Sequence, residues 1–210
     1  MRPRSSPRRA ALEQYRSRAP IYDLELAPAQ FIRRMAIARL NLKRGAAVVD
    51  VGCGTGLSFE ELEAQVGPQG TIVGIEQSPD MLALARQRVE RNGWSNVIPI
   101  QSTVEDAAIA VSADAALFHF THDIQQSERA LSNVLRHLKP RARVVAAGLK
   151  WAPSWAIPVN LMVWYAALRS VTVLDGLSEP WARLARHLAN FVVEPMLGGG
   201  TYIASGITRS

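Results

Sequence analysis

Cysteine is almost missing from this chain. Cys53 is the single one in 210 residues, which excludes an internal disulfide framework and suits a reducing, cytoplasmic setting. Acid is missing from the first twelve residues, and the whole chain carries a formal charge of +6. That excess is local: residues 1–18 hold six arginines against Glu13, leaving the rest of the chain near neutral. A basic folded domain of the kind that binds nucleic acid is therefore not expected, and no basic stripe with interleaved aromatics occurs. Long apolar runs are missing too. The 14 residues from Trp155 to Leu168 contain one amide, Asn160, and no charge, but Pro158 interrupts them and they are too short to span a bilayer.

The opening "MRPRSSPRRA" has no apolar centre, so it does not read as a secretory signal. Residues 1–9 are expected to form a disordered basic arm. A sharper alternative is an arm that lies on an anionic membrane surface through residues 1–18. Each arginine near such a surface adds about 1 kcal/mol.

Residues 10–210 have the length of one domain. Helical spacing places Leu12, Tyr15 and Ala19 on one face, then Phe31, Met35, Ala38 and Leu42 on another, after Pro28. These two helices, within 10–45, precede a regular alternation. "AAVVDV" reads as a buried strand, "GLSFEELEAQV" as a helix and "TIVGIE" as a strand. Ser78-Pro79 then caps a helix that ends near Asn92-Gly93. Strands "NVIPIQ", "AALFHF" and "RVVAAG" follow, with a helix from Ser127 to Leu138 before the last of them. Such alternation predicts an α/β fold, a doubly wound, mostly parallel sheet with helices on both faces. Ligands bind such sheets at the carboxyl ends of their strands.

The most informative stretch is "VVDVGCGTGLSFEEL", residues 48–62. Gly52, Gly54 and Gly56 stand at the carboxyl end of the first strand, where glycines permit a close backbone approach. Their G-x-G-x-G spacing is not the G-x-G-x-x-G of dinucleotide sites, and the lysine of a phosphate-binding loop is missing.

The order D-x-G-x-G-x-G from Asp50 to Gly56 resembles the first motif of the class I S-adenosylmethionine-dependent methyltransferases. Glu76 lies 20 residues after Gly56, where that family has a ribose-binding acid at the tip of the second strand. The resemblance covers about residues 46–148 and implies a Rossmann-like sheet of seven strands, the last antiparallel. It also implies S-adenosylmethionine as cofactor, with no metal. Asp50, Gly52, Cys53, Gly54 and Gly56 would hold its methionine end and Glu76 its ribose, while Gln77, Met81, Thr103, Val104, Glu105 and Phe118 would surround the adenine side. Two departures are visible. Thr103 stands where relatives carry an aspartate, and Arg141-Ala142 replaces the glycine pair after "LKP". Cys53 reads as a small buried residue rather than a nucleophile.

A methyl acceptor is expected above the first and fourth strands, beside "FHFTHD". His119 and His122 are both candidate bases, each with the alternative of simple packing. Tyr22 and Tyr15, in the N-terminal helices, resemble lid tyrosines of similar enzymes. Residues 149–190 are unusually apolar. They are expected either to complete the core and a homodimer interface or to form an acceptor pocket. In the second reading Trp151, Trp155, Trp164 and Tyr165 face a cationic head group. A helix capped by Ser178 should bury Trp181, Leu184, Leu188 and Phe191, and residues 191–208 should close the domain as a hairpin. The loose likeness of this tail to bacterial lipid N-methyltransferases favours a lipid head-group amine as acceptor. A quinone, phenol or other small molecule is the alternative for an enzyme. A non-catalytic, cofactor-binding subunit is the alternative from another class.

Overall fold

The computed structural model describes residues 30–170, 174 and 176–209. The basic arm, the first expected helix and the candidates Tyr15 and Tyr22 lie outside them. The described chain runs α1 (Gln30–Leu40), β1 (Ala47–Val51), α2 (Phe59–Val66), β2 (Thr71–Glu76), α3 (Pro79–Asn92), β3 (Val97–Gln101), β4 (Ala113–His119), α4 (His122–Gln125), α5 (Glu128–Leu135), β5 (Leu138–Leu149), α6 (Ile157–Ser170), α7 (Ala182–Ala185), β6 (Leu188–Met196) and β7 (Thr201–Thr208). The strands form one sheet in the order β3-β2-β1-β4-β5-β7-β6. The β1–β5 pairs are parallel, and β7 runs antiparallel to both β5 and β6. The expected fold class is observed.

Period-two alternation divides the sheet between two cores. On one face Val49, Val51, Ile75, Phe118 and Val144 pack with Leu131 and Val134 of α5. On the other, Val48, Ile72, Leu117 and Val145 pack with Ile32, Ile37, Phe59 and Leu62 of α1 and α2. Each fully buried side chain of this size contributes about 1.5–3 kcal/mol. Pro99 is tolerated within β3 because β3 is an edge strand, where one side needs no ladder donor. Ser78 caps α3 by accepting from the Met81 N–H, and Gly93 ends it in the left-handed conformation.

Three local expectations differ. Helix α1 buries Ile32, Arg33, Ala36, Ile37 and Leu40, while Phe31 is exposed. The buried stripe is therefore turned one residue from the expected Phe31–Met35–Ala38 face, because β-branched and aliphatic side chains reach the sheet there. Helix α5 stops at Leu135 instead of Leu138. Pro140 then sits in the strand that follows, and Arg141 takes φ 61, a left-handed conformation that favours glycine. The helix expected from Ser178 to Phe191 shortens to α7, and Leu188 and Phe191 enter β6, where Leu188 pairs with Thr208 of β7 and Phe191 falls in the register shift between Ala189 and Val192.

Candidate cofactor and acceptor site

The turn after β1 carries Gly52, Gly54 and Gly56 at φ 70, 57 and 77, all in the left-handed region that glycine alone enters without strain. The protein itself occupies the space at two of them. A Cβ on Gly52 would lie 2.6 Å from Thr121 Cγ2, and one on Gly56 would lie 2.7 Å from the Phe59 ring. The sequence reading, which reserved this space for a ligand, is corrected to that extent. The glycines let the turn pack against β4's exit and α2, and so fix the loop's backbone at the sheet edge.

Glu76 ties that loop to β2. Its Oε2 accepts from the Gly54 N–H at 3.1 Å and its Oε1 from the Ser78 N–H at 2.7 Å. Burial raises its pKa, opposed by these amides. A carboxylate has about four acceptor positions, and with the Gln77 amide also directed at Glu76 part of that capacity stays available for a ribose hydroxyl. Asp50, 1% exposed, leaves Oδ2 buried without a partner among the described residues. Burial pushes its pKa up to about 7; the Arg33 guanidinium and a Ser58 hydrogen bond oppose that rise, and the Glu76 charge adds to it. A buried carboxyl with one oxygen still to be satisfied, beside a second acid, suits an incoming ammonium group.

Arg33 is a functional candidate that the sequence reading missed. It is 2% exposed on α1, donates to Gln30 Oε1 at 2.6 Å, and its charge reaches both Asp50 and His119. The signal was a lone cation inside the Ile32–Ala36–Ile37–Leu40 stripe, legible only once that stripe is phased correctly. Cys53 is buried, and burial, then Asp50 and Glu76, pushes its thiol well above the usual range, which makes it inert as a nucleophile.

The adenine side is less open than expected. Phe118 is wholly buried in the sheet core, and Val104 is buried in the same cluster. Neither side chain has a free face, because both point into the α5 side of the sheet. Thr103 donates to Asp106, and Glu105 accepts from the Ser127 hydroxyl at 2.7 Å. Gln77 is half-buried at the rim, and Met81 is buried beneath it.

The two histidines separate. His119 faces the Arg33 and Asp50 side. Burial, then the Arg33 charge, pulls its pKa well below the ordinary value, and its buried Nε2 has no partner among the described residues. His122 instead lines a small open cleft with Phe120, Gln125, Gly148, Leu149, Leu177 and Tyr202. Phe120 holds φ 57 at the end of β4 with its N–H donating to Ala147 O. This non-glycine strain sits at the cleft wall. At the cleft's base Tyr202 donates to Gln125 Oε1 at 3.1 Å. Gln125 Nε2 is buried without a partner among the described residues.

The expected aromatic pocket is not enclosed among the described residues. Trp155, Trp164 and Tyr165 are 80%, 46% and 53% exposed, and Trp151 is half-buried with its N–H donating to Leu177 O. The reason is that α6 spends Val163 and Ala167 on the protein and turns its aromatics outward. The cofactor turn and the cleft share one segment: Thr121 packs on Gly52, and His122 and Gln125 follow on α4.

A family model described as a methyltransferase domain matches residues 48–141. Among curated relatives, the chain is 27% identical to a demethylmenaquinone methyltransferase of Shouchella clausii, covering 69% of this chain and 61% of that protein. It is 29% identical to a probable cobalt-precorrin-6B C(15)-methyltransferase (decarboxylating) of Sulfurisphaera tokodaii, over 74% of this chain and 83% of that one. The chain spans 34%, 47% and 61% of the length of three of the curated relatives it matches. Its fold is similar to that of the N-methyltransferase NodS of Bradyrhizobium japonicum solved with S-adenosyl-l-homocysteine. The TM-score is 0.63 at 18% identity, covering 89% of this chain and 91% of NodS. The glycine turn, the Glu76 clamp, the strand order and the methyltransferase-domain match over residues 48–141 together support the expected resemblance to the class I S-adenosylmethionine-dependent methyltransferases.

Proposed function

We propose that the protein transfers a methyl group from S-adenosylmethionine to an apolar small molecule that presents an oxygen, of the phenol, enol or quinol kind. The observation that carries this reading is the Gln125 amide. Tyr202 occupies its oxygen, so a buried N–H pair is left seeking an acceptor at the base of the cleft. A ketone, phenolate or enolate oxygen meets that need, whereas an ammonium head group would not. The lipid-amine reading expects a cage of Trp151, Trp155, Trp164 and Tyr165, of which Trp151 is half-buried and the other three are turned to solvent.

The cofactor supplies a sulfonium methyl whose leaving group needs no protonation. What remains for the protein is alignment and removal of one proton from the acceptor. Asp50 accepts the cofactor's ammonium and Glu76 its ribose hydroxyls, with Arg33 near enough to Asp50 to offset charge. Gln125 fixes the acceptor oxygen, Phe120, Leu149 and Leu177 exclude water, and His122 borders the cleft as the imidazole able to take the proton. The matches to demethylmenaquinone methyltransferases, at 27% and 29% identity, support an oxygen-bearing ring as acceptor without naming it.

The test is turnover of labelled S-adenosylmethionine against a demethylated quinol, a simple catechol and dimethylethanolamine lipid. Label transferred to the quinol or catechol, and lost in Gln125→Leu, supports the reading. Label transferred only to the lipid amine overturns it.

A further inference from the structure

From Ile157 to Leu168 helix α6 carries no charge and one amide, Asn160, yet its outer half is exposed. Val163 and Ala167 are fully buried, and Val159 packs toward Gly198 and Gly200 at the β6–β7 turn. On the opposite side Ile157, Leu161, Trp164, Tyr165 and Leu168 are 71%, 63%, 46%, 53% and 50% exposed. At 100° per residue these five positions fall within an arc of about 100°. Trp155, 80% exposed just before the helix, and Leu197 at the adjoining turn extend the patch. A contiguous exposed apolar patch of this kind marks a contact surface.

Charge decides what covers it. From Lys150 to Leu174 the sequence holds Lys150 and Arg169 and no acid, and a further net charge of +5 lies within residues 1–18. A second copy would bring the same net-positive, acid-free stretch of sequence against this one, with no acid to pair it. An anionic bilayer offers the opposite charge, apolar depth for leucine and isoleucine, and an interface that tryptophan and tyrosine prefer. Fourteen residues give a helix of about 21 Å, which suits lying in the interface plane. No helix among the described residues is long and apolar enough to cross a membrane.

We infer that the outer face of α6 docks this protein onto an anionic lipid surface, with Trp155, Trp164 and Tyr165 at head-group depth and Leu161 and Leu168 below them. The position of α6 gives the contact a use. The segment leaves the carboxyl end of β5 at Lys150 and returns at Leu177, whose carbonyl accepts from the Trp151 N–H. Leu149 and Leu177 both line the acceptor cleft. Docking through α6 therefore sets the cleft close to the membrane plane, where an apolar acceptor would be dissolved.

The experiment uses the purified full chain and vesicles of phosphatidylcholine with and without phosphatidylglycerol. It follows flotation together with quenching of tryptophan fluorescence by brominated lipid. The wild type should float with phosphatidylglycerol vesicles and be quenched by them. The exposed double variant Leu161→Ser/Leu168→Ser should lower the bound fraction at least tenfold. Ile98→Ser, equally exposed on β3 at the far sheet edge, should bind as the wild type does. Unchanged cofactor binding in all three proteins shows that each is folded, and vesicle binding is read without turnover, so it stands apart from the acceptor assignment. Binding unaffected by the double variant would assign the contact to another surface and overturn the inference. So would a wild type that ignores every vesicle, or a dimer that the double variant dissociates in their absence.

Discussion

Tyr202 on β7 and Gln125 on α4, 77 positions apart in sequence, meet at 3.1 Å with both side chains 1% exposed. Burial pushes the Tyr202 hydroxyl far above the ordinary phenol range, so it stays a donor at any working pH. The bond therefore fixes which end of the Gln125 amide faces the cleft. Tyr202→Phe leaves the amide free to turn and strands its oxygen. We expect KM for the acceptor to rise about tenfold to a hundredfold, the equivalent of the 1–3 kcal/mol of an unsatisfied buried group. The cofactor Kd should not move, and calorimetry alongside steady-state kinetics separates the two.

Asp50 makes cofactor affinity depend on pH. Its carboxyl is raised to about 7 in the free protein by burial, with Arg33 pulling it down. An acid whose folded pKa is raised stabilises the fold below its unfolded pKa, and that contribution disappears as pH rises through about 7. Binding an ammonium group needs the ionised form. Affinity for S-adenosylmethionine should thus fall as pH drops from 7.5 to 5.5, by up to tenfold per unit, with proton release near pH 6.5. Titration calorimetry in two buffers of different ionisation enthalpy measures that proton. Asp50→Asn should bind weakly and with a flat profile.

The sheet was legible because its strands are short, apolar and punctuated by glycine, proline and caps. "TIVGIE" became β2 without adjustment, and Ser78-Pro79 opened α3 as expected. The cofactor turn and Glu76 were legible through a motif with fixed spacing. What escaped depended on contacts between distant segments. Arg33 looked like an ordinary surface cation until α1's buried stripe was phased. Tyr202 and Gln125 carry no motif and meet only because β7 inserts between β5 and β6. The aromatic residues of α6 were read as a pocket because spacing gives a face but not what that face meets.

Glu76 has a double task, holding the Gly54 and Ser78 amides and offering its remaining lone pairs outward. Glu76→Gln keeps one acceptor oxygen and turns the other end into a donor facing an amide N–H. Hydrogen bonds to a charged group contribute about 1.5–3 kcal/mol each. Cofactor affinity should therefore fall roughly tenfold to a hundredfold, and the loop amides of Gly54 and Ser78 should lose protection in hydrogen exchange. Weak binding with unchanged protection would assign Glu76 to ligand contact alone.

Phe59 sits in a slot between two glycines. A Cβ on Gly56 would lie 2.7 Å from its ring, and one on Gly74 would lie 2.6 Å from its Cζ and 3.0 Å from Cys53 Sγ. Gly74 has no positive φ, so Gly74→Ala tests crowding alone, without the backbone strain that Gly56→Ala would add. Overpacking of this kind costs about 1–3 kcal/mol. At roughly 2–4 °C per kcal/mol for a chain of this size, Tm should fall by about 2–12 °C. Phe59→Leu opens a cavity and is destabilising by itself, yet it removes the atoms that the new methyl strikes. Gly74→Ala/Phe59→Leu should therefore lose less than the sum of the two single changes, a coupling that thermal denaturation of the four proteins reads directly. Strict additivity would mean that the ring moves aside freely, and that the glycine at position 74 does not hold the cofactor turn against β2 through Phe59.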